Sequence, residues 1–265
     1  MKPDLLITWT KHCDYPIFRA ILAKYRDFFG KIVILFSEHM QFPYYDHFLR
    51  DSLEELGNIE FIDPVDIIGF DWRNVATNEL LKHTDSEWVC SVEQDFFCRD
   101  WNEILEKIEE KSKDYPFLGW AAKSGKESFY IHPSFFFIKR ELLDKTDKDF
   151  SARDGEDHFG WITRDVELLG EPIYDLEADF KCTVATSSDM FHLGGVNNNY
   201  LNSHNPDFVF YRPEEFAIYN YWCRKADVPQ SPRFTELSLK VEGQLLEKTP
   251  GLDLEKNGWT KFFQA

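Results

Sequence analysis

An α/β fold with a mostly parallel central sheet, flanking helices and a C-terminal helical extension is what this sequence predicts, on three observations. The chain opens as strand, helix, strand, the order of a βαβ unit with a right-handed crossover. The run KIVILFS, Lys31 to Ser37, is apolar without alternation, as a strand buried on both faces must be. A further short apolar run starting at Trp88 ends on Glu93-Gln94-Asp95. Packing has no use for two carboxylates at the exit of a buried strand, because each must be paired, hydrogen-bonded or metal-bound to stay ionised. They either cap loop or helix amides or belong to a site.

Leu5 to Thr10 is the first strand, closing on Thr8-Trp9-Thr10. Asp14 and Pro16 start the helix after it, Ile17, Ile21, Leu22, Tyr25, Phe28 and Phe29 follow at helical spacing, and Gly30 stops it. The Lys31 strand comes next and ends beside Glu38 and His39. Asp46 to Leu56 is a second helix, Ile59 to Ile62 a third strand that closes at Asp63-Pro64, and Trp72 to His83 a third helix with Arg73 and Asn74 near its start. After the Trp88 run, Asp100 and Glu103 have the spacing of a capping box for a helix carrying Trp101, Ile104, Leu105 and Ile108. Phe117 to Ala122 and Ser134 to Arg140 are strands, the second densely aromatic, followed by a short helical stretch from Glu141 to Lys145. Phe159, Ile162, Val166 and Leu169 recur at helical spacing before Gly170, which puts Gly155-Glu156-Asp157-His158 at or just before a helix N-terminus. Thr183 to Thr186 is another strand candidate, leading to FHLGG and the turn Asn197-Asn198-Asn199. From about residue 205 the pattern is aromatic and helical, with a helix over Pro213 to Ala226 and weakly patterned sequence beyond.

Composition bounds the function classes. At 265 residues and 43% hydrophobic, the chain supports a sizeable core, read as a catalytic domain over 1–204 with a packed helical and aromatic extension over 205–265. With 30 basic residues against 47 acidic, the net charge of -17 opposes the field a phosphate backbone requires, so nucleic acid is a disfavoured partner. Cys13, Cys90, Cys98, Cys182 and Cys223 form an odd set without Cys-x-x-Cys spacing, as expected of reduced thiols in a cytoplasmic protein. The apolar stretch at the N-terminus is too short for a signal peptide, and no run is long enough to span a bilayer, so stable membrane insertion is not expected.

No two glycines are separated by a single residue, and there is no Walker loop, His-Glu-x-x-His or Gly-x-Ser-x-Gly, which disfavours dinucleotide dehydrogenases, P-loop enzymes and α/β hydrolases. What remains is a set of acids and a histidine at strand ends and loops: Glu93, Asp95, Glu156, Asp157 and His192. In an open α/β sheet such positions converge outside the carboxyl ends of the strands. An Asp with a His suits Mn²⁺ or Mg²⁺ bridging a diphosphate.

The order of these features resembles the GT-A glycosyltransferases, over roughly residues 4 to 200: the strand-helix-strand opening, Arg73-Asn74 at a helix start, Glu93-Gln94-Asp95 at a strand end, an aromatic strand running into Lys139-Arg140-Glu141-Leu142-Leu143, Gly155-Glu156-Asp157 and a later Phe191-His192. The resemblance implies a metal-dependent transfer of a sugar from a UDP- or GDP-linked donor to an acceptor hydroxyl, with inversion. It implies Asp95 as the last carboxylate of an Asp-x-Asp-type motif and a metal ligand, with His192 completing the metal site. Glu93 stands where that motif has Asp. On the donor side it implies Thr8, Thr10 and Asp63 around the nucleobase and ribose, with Arg73 and Asn74 toward the pyrophosphate. Asp157, paired with Glu156, matches the catalytic base that takes the acceptor proton; on local sequence alone, capping the helix that follows is the commoner use of such a pair.

The acceptor stays open: an envelope or lipid-linked glycan, a protein, a small molecule, or a hydroxylated base in phage-type DNA. Two alternatives stand beside the transferase. A nucleotidyltransferase shares the fold class but usually has a glycine-rich first loop, which ITWTKHCDYP lacks. A noncatalytic carbohydrate- or partner-binding module would keep the architecture without turnover. Trp120, Trp161 and Tyr200 are candidate stacking surfaces, and His132 and His158 lie toward the acceptor side, with solvated roles expected for both.

Overall fold

The structure, a computed structural model, describes residues 2–10, 22–23, 26–37, 53–62, 72–93, 96–98, 100–123, 129–152, 158–180, 182–183, 190–192, 221, 224, 232–248 and 250–251. Its strands in chain order are β1 (Asp4–Thr10), β2 (Ile32–Ser37), β3 (Ile59–Ile62), β4 (Trp88–Val92), β5 (Phe96–Cys98), β6 (Phe117–Lys123), β7 (Phe129–Lys139), β8 (Ile173–Asp175), β9 (Cys182–Thr183) and β10 (Met190–His192). The helices are α1 (Trp72–Leu81), α2 (Trp101–Lys111), α3 (Arg140–Leu143), α4 (Gly160–Leu168) and α5 (Pro232–Lys248). Seven strands make one sheet in the order β3-β2-β1-β4-β7-β6-β8, and β5-β10-β9 make a small second sheet. In the large sheet only β7 runs against the others, pairing antiparallel with both β4 and β6. The expectation of a mostly parallel α/β sheet flanked by helices holds.

Burial on both faces explains why the parallel strands read as unbroken apolar runs. Leu5, Ile7, Ile32, Ile34, Trp88, Cys90 and Val92 face one way, against Trp101, Ile104 and Ile108 of α2. Leu6, Val33, Leu35 and Val89 face the other, against Ala76, Leu80 and Leu81 of α1 and Ile162 and Val166 of α4. The β7 run Phe135-Phe136-Phe137 divides between the two faces, each ring essentially inaccessible to water. Burial of a side chain of this size stabilises by about 1.5–3 kcal/mol, so β7 is a principal contributor to both layers. Phe135 stacks on Phe96 at 5.2 Å and Phe137 on Trp88 at 4.8 Å.

Local signals set the helix ends. Asp100 caps α2 by accepting from the amides of Asn102 at 2.9 Å and Glu103 at 3.3 Å. At the C-terminus of α4, Gly170 takes a φ of +73°, the left-handed position that glycine adopts without a Cβ penalty.

Several expectations need correction. Beyond the Trp88 run there is a further strand that was not expected: the Phe96 amide donates to the Glu93 carbonyl at 3.0 Å, and β5 joins the second sheet. β7 begins at Phe129, five residues before Ser134, since His132-Pro133 interrupts the apolar pattern but not the strand. The sequence described as weakly patterned contains α5, 17 residues long, within the expected helical extension. The expected helices over 14–29 and 213–226 lie largely outside the described residues.

Candidate functional site

Strand order places a crevice. From β1 the chain winds outward through β2 to β3, then returns to lay β4 on the opposite side of β1. The order reverses there, and in open α/β sheets ligands bind outside the carboxyl ends of the strands at such a switch point. The registers agree. β1 and β4 pair from Asp4/Val89 only to Leu6/Ser91, although both strands continue. Two residues further along each stand Thr8 and Glu93. Thr8, half-buried, remains paired with Leu35 of β2, and Thr10 with Ser37.

On its other side β4 is tied to β7. The Glu93 amide donates to the Ser134 carbonyl at 3.0 Å, extending the ladder past Val92/Phe135. Ser134 is fully buried, and its hydroxyl donates to Glu93 Oε2 at 2.8 Å. His132 Nδ1 lies 2.6 Å from the same Oγ. This polar cluster comes from a β-bulge. Opposite Gly119 and Ala121 of β6, two residues apart, stand Phe136 and Ile131 of β7, five apart, so β7 carries three extra residues. Pro133 sits inside the excess, where its missing N–H takes no ladder bond away. Gly119 lies under it: a Cβ there would meet Ile131 Cγ2 at 2.4 Å and the Phe135 carbonyl at 2.8 Å.

Around the bulge stand aromatic rings. Trp120 packs against His132 with centroids 5.0 Å apart, and its Nε1 donates to Glu177 Oε1 at 3.0 Å. Tyr130 lies 6.1 Å from His132 and Phe96 6.1 Å from Trp120. Phe96 also opens β5, whose antiparallel register with β10 sets His192 directly opposite it. His192 is therefore brought across from the residue that follows Asp95 in the chain.

The remaining candidates are placed as follows. Arg73 is the second residue of α1. Asn74, the third, uses its Oδ1 to accept from the Phe150 amide at 3.0 Å and from Asn78 Nδ2 at 2.9 Å, fastening α1 to the loop that leads toward Glu156 and Asp157. Past that pair, His158 Nδ1 donates to the Phe150 carbonyl at 3.1 Å, and Phe159 holds a φ of +71° immediately before α4. A non-glycine residue there is strained by an order of 1–3 kcal/mol, held here by the packing of Phe159 on Phe136 and Phe150. Asp63, Asp95, Glu156 and Asp157 lie outside the described residues, as do the side chains of Thr10, Arg73 and His192. The structure thus sets Thr8 and Glu93 at the carboxyl ends of adjacent strands, places the backbone of His192 opposite Phe96 in the second sheet, and ties Asn74 to the approach to α4. Among the described residues no three His, Cys, Asp or Glu side chains cluster as a metal site.

Sequence reasoning passed over Ser134 and gave His132 a solvated role. The available signal was three polar or ring-constrained residues, His132-Pro133-Ser134, inside an otherwise aromatic strand. Cys90, a buried free thiol, is consistent with the expectation of reduced cysteines, and burial pushes its pKa up. No described helix is long and apolar enough to cross a membrane.

No protein-family model matches the sequence, and no curated protein does. Solved structures match through the fold. GalNAc-T7, solved with UDP, GalNAc and Mn²⁺, aligns over 93% of this chain and 57% of its own at 9% identity, with a TM-score of 0.51. The mannosyltransferase PcManGT from Pyrobaculum calidifontis, in complex with GDP-Man and Mn²⁺, aligns over 100% and 73% at 12% identity, with a TM-score of 0.48. HddC from Yersinia pseudotuberculosis aligns over 75% and 97% at 11% identity, with a TM-score of 0.42. At such identities the likeness is one of fold, and the first comparison is the one that supports it. With the strand order, its reversal between β1 and β4 and that likeness, the chain has a GT-A-like fold.

Proposed function

We propose that this chain is a metal-dependent, inverting glycosyltransferase acting in the cytoplasm on a UDP- or GDP-linked sugar, with its catalytic domain over 1–204 and a helical extension over 205–265. The observation that carries the reading is the reversal of strand order between β1 and β4, beyond whose last pair stand Thr8 and Glu93. Asp95 and His192 would hold Mn²⁺ or Mg²⁺. A carboxylate and an imidazole suit such an ion, and the β5/β10 register brings the two parts of the chain together. The ion would offset the charge that develops on the departing diphosphate.

Around it, the chain's own residues divide the work. Thr8, Thr10 and Asp63 bind the nucleoside, and Arg73 and Asn74 stand toward the pyrophosphate. Glu93 faces the donor with one oxygen held by Ser134. As the acceptor oxygen forms its bond to the anomeric carbon and the bond to the diphosphate breaks, the hydroxyl proton passes to Asp157. Glu156 is the sequence neighbour of Asp157, and the pair precedes α4, which starts at Gly160.

A thermal-shift series of nucleoside diphosphates and their sugars, with and without Mn²⁺, tests this directly, since a ligand selective for the folded state raises Tm. A Mn²⁺-dependent rise with a UDP or GDP ligand is expected, lost in Asp95→Ala. Asp157→Asn should retain that rise while turnover falls by about 10²-fold or more. Absence of a metal-linked shift with every nucleotide would refute the reading, and unchanged turnover in Asp157→Asn would remove the base from its place.

A further inference from the structure

α1 carries two asparagines, Asn74 and Asn78, four residues apart and therefore on one face. Asparagine is a poor helix former because its amide competes for backbone bonds, so a pair on one face calls for partners outside the helix. Both find them in the segment that joins α3 to α4. Asn78 Nδ2 donates to the Lys148 carbonyl at 3.1 Å, and lies 3.0 Å from the Asn74 carbonyl and 2.9 Å from Asn74 Oδ1. All three are oxygens that only accept, which fixes the orientation of the Asn78 amide and shares its two hydrogens among them. Asn74 Oδ1 in turn holds the Phe150 amide. Lys148 sits at a φ of +54°, a left-handed backbone that a lysine keeps only where its surroundings hold it, and the carbonyl so presented is the one Asn78 binds.

The same segment is fixed to α4. The Asp147 amide donates to Asp165 Oδ2 at 3.0 Å, and the Phe150 carbonyl accepts from His158 Nδ1. Phe150 is wholly buried, and its ring packs on Phe159 with centroids 4.9 Å apart. Phe150 therefore closes the stretch 151–157 at both ends: it precedes Ser151 in the chain and grips His158, the residue after Asp157. Its polar tie to α1 runs through Asn74, which Asn78 braces one turn further on.

We propose that Asn78 is a positioning residue for the transfer: by bracing Asn74 and Lys148 it fixes the closed ends of 151–157 against the helix that bears Arg73 and Asn74. The inference rests on the transferase reading and adds to it that the segment bearing the base takes its position from the donor-side helix. A displacement is sensitive to such placement, an error of about 1 Å costing about 10²-fold.

Two variants separate positioning from bulk. Asn78→Ala removes the donor and, alanine being the best helix former, does not weaken α1 itself. Asn78→Asp keeps the shape but sets a carboxylate against three acceptor oxygens. Hydrogen exchange followed by NMR should show the Phe150 amide protected in the parent, about tenfold faster in Asn78→Ala and faster again in Asn78→Asp. Release of UDP from UDP-glucose or of GDP from GDP-mannose, with Mn²⁺ and with water as the acceptor, should fall in kcat by about tenfold or more, with donor KM and the Mn²⁺-dependent rise in Tm unchanged. Phe150 exchange as slow in both variants as in the parent overturns the brace. Faster exchange with kcat unchanged overturns the positioning role and leaves the transferase reading in place. An Asn78→Asp protein that matches the parent in exchange and kcat shows that bulk alone matters, and overturns the inference. If the parent itself binds neither nucleotide, the transferase reading falls and this inference with it, whatever the variants do.

Discussion

β4 meets its two neighbours in opposite ways. Toward β1 its ladder stops at Leu6/Ser91, leaving Thr8 and Glu93 beyond the last pair. Toward β7 all five residues pair, the Glu93 amide adds another bond, and the Glu93 carboxylate adds one more. One flank of the strand is open, its ladder ending early, and the other is closed along its whole length. A site needs both, since side chains aimed into a crevice are placed accurately only when the surrounding packing and hydrogen bonds fix them.

Three measurements would break or sharpen that contrast. The largest effect is expected at the closed flank, in Phe135→Ala. Phe135 is fully buried between Phe96 and Trp101, with ring centroids at 5.2 and 5.6 Å. Its truncation should cost about 3–5 kcal/mol in urea unfolding, against less than about 1 kcal/mol for Thr8→Ala on the open flank. Equal losses would show that the flanks do not differ. Next is Gly119→Ala, whose new methyl would press on Ile131 and the Phe135 backbone; a loss of about 1–3 kcal/mol is expected. A variant as stable as the parent would mean that the bulge yields and does not fix His132.

The smallest effect lies away from both flanks, at Tyr174 of β8. Desolvation first, and then the bond its hydroxyl donates to Asp179 Oδ2 at 2.6 Å, push its pKa up to about 12. A phenol raised above its ordinary value of about 10 lends stability that is whole below pH ~10 and is lost as pH rises through the folded value. Absorbance titration should show one late-ionising tyrosine that Tyr174→Phe removes. Stability of the variant and parent should converge above the folded pKa, and an ordinary titration at this position would refute the assignment.

What the sequence made legible follows from physics that is local. Lys31 to Ser37 could be read because burial on both faces, seen from Ile32 to Leu35, leaves an apolar run with sharp ends. Asp100 announced α2 because a cap acts within one turn. The strands β8 and β5 went unseen. Three-residue strands such as IYD and FFC carry no period of their own and exist through partners at Phe117 to Gly119 and at Met190 to His192. α5 had a usable signal, Leu237, Val241 and Leu245 four apart after Pro232, but Gly243 and the scattered charges diluted it. At the site, Glu93 was visible as an acid out of place, whereas its partner 41 residues away was not. A hydrogen bond between distant side chains leaves no mark on the local pattern, so Ser134 looked like one more strand residue.

The pairing of β5 with β10 has a consequence for the order in which the protein is made. Phe96 meets His192 across almost a hundred positions of chain, and Trp88 meets Lys139 across about half as many. On the ribosome β1, β2 and β3 can associate early, but β4 lacks its antiparallel companion until β7 has emerged, and β5 waits longer still. The β1-β2-β3 edge of the sheet is thus the first to take shape, and the β5/β10 pairing that brings in His192 the last. Until His192 arrives, β5 has no strand to pair with, and the second sheet cannot form before most of the chain has been made.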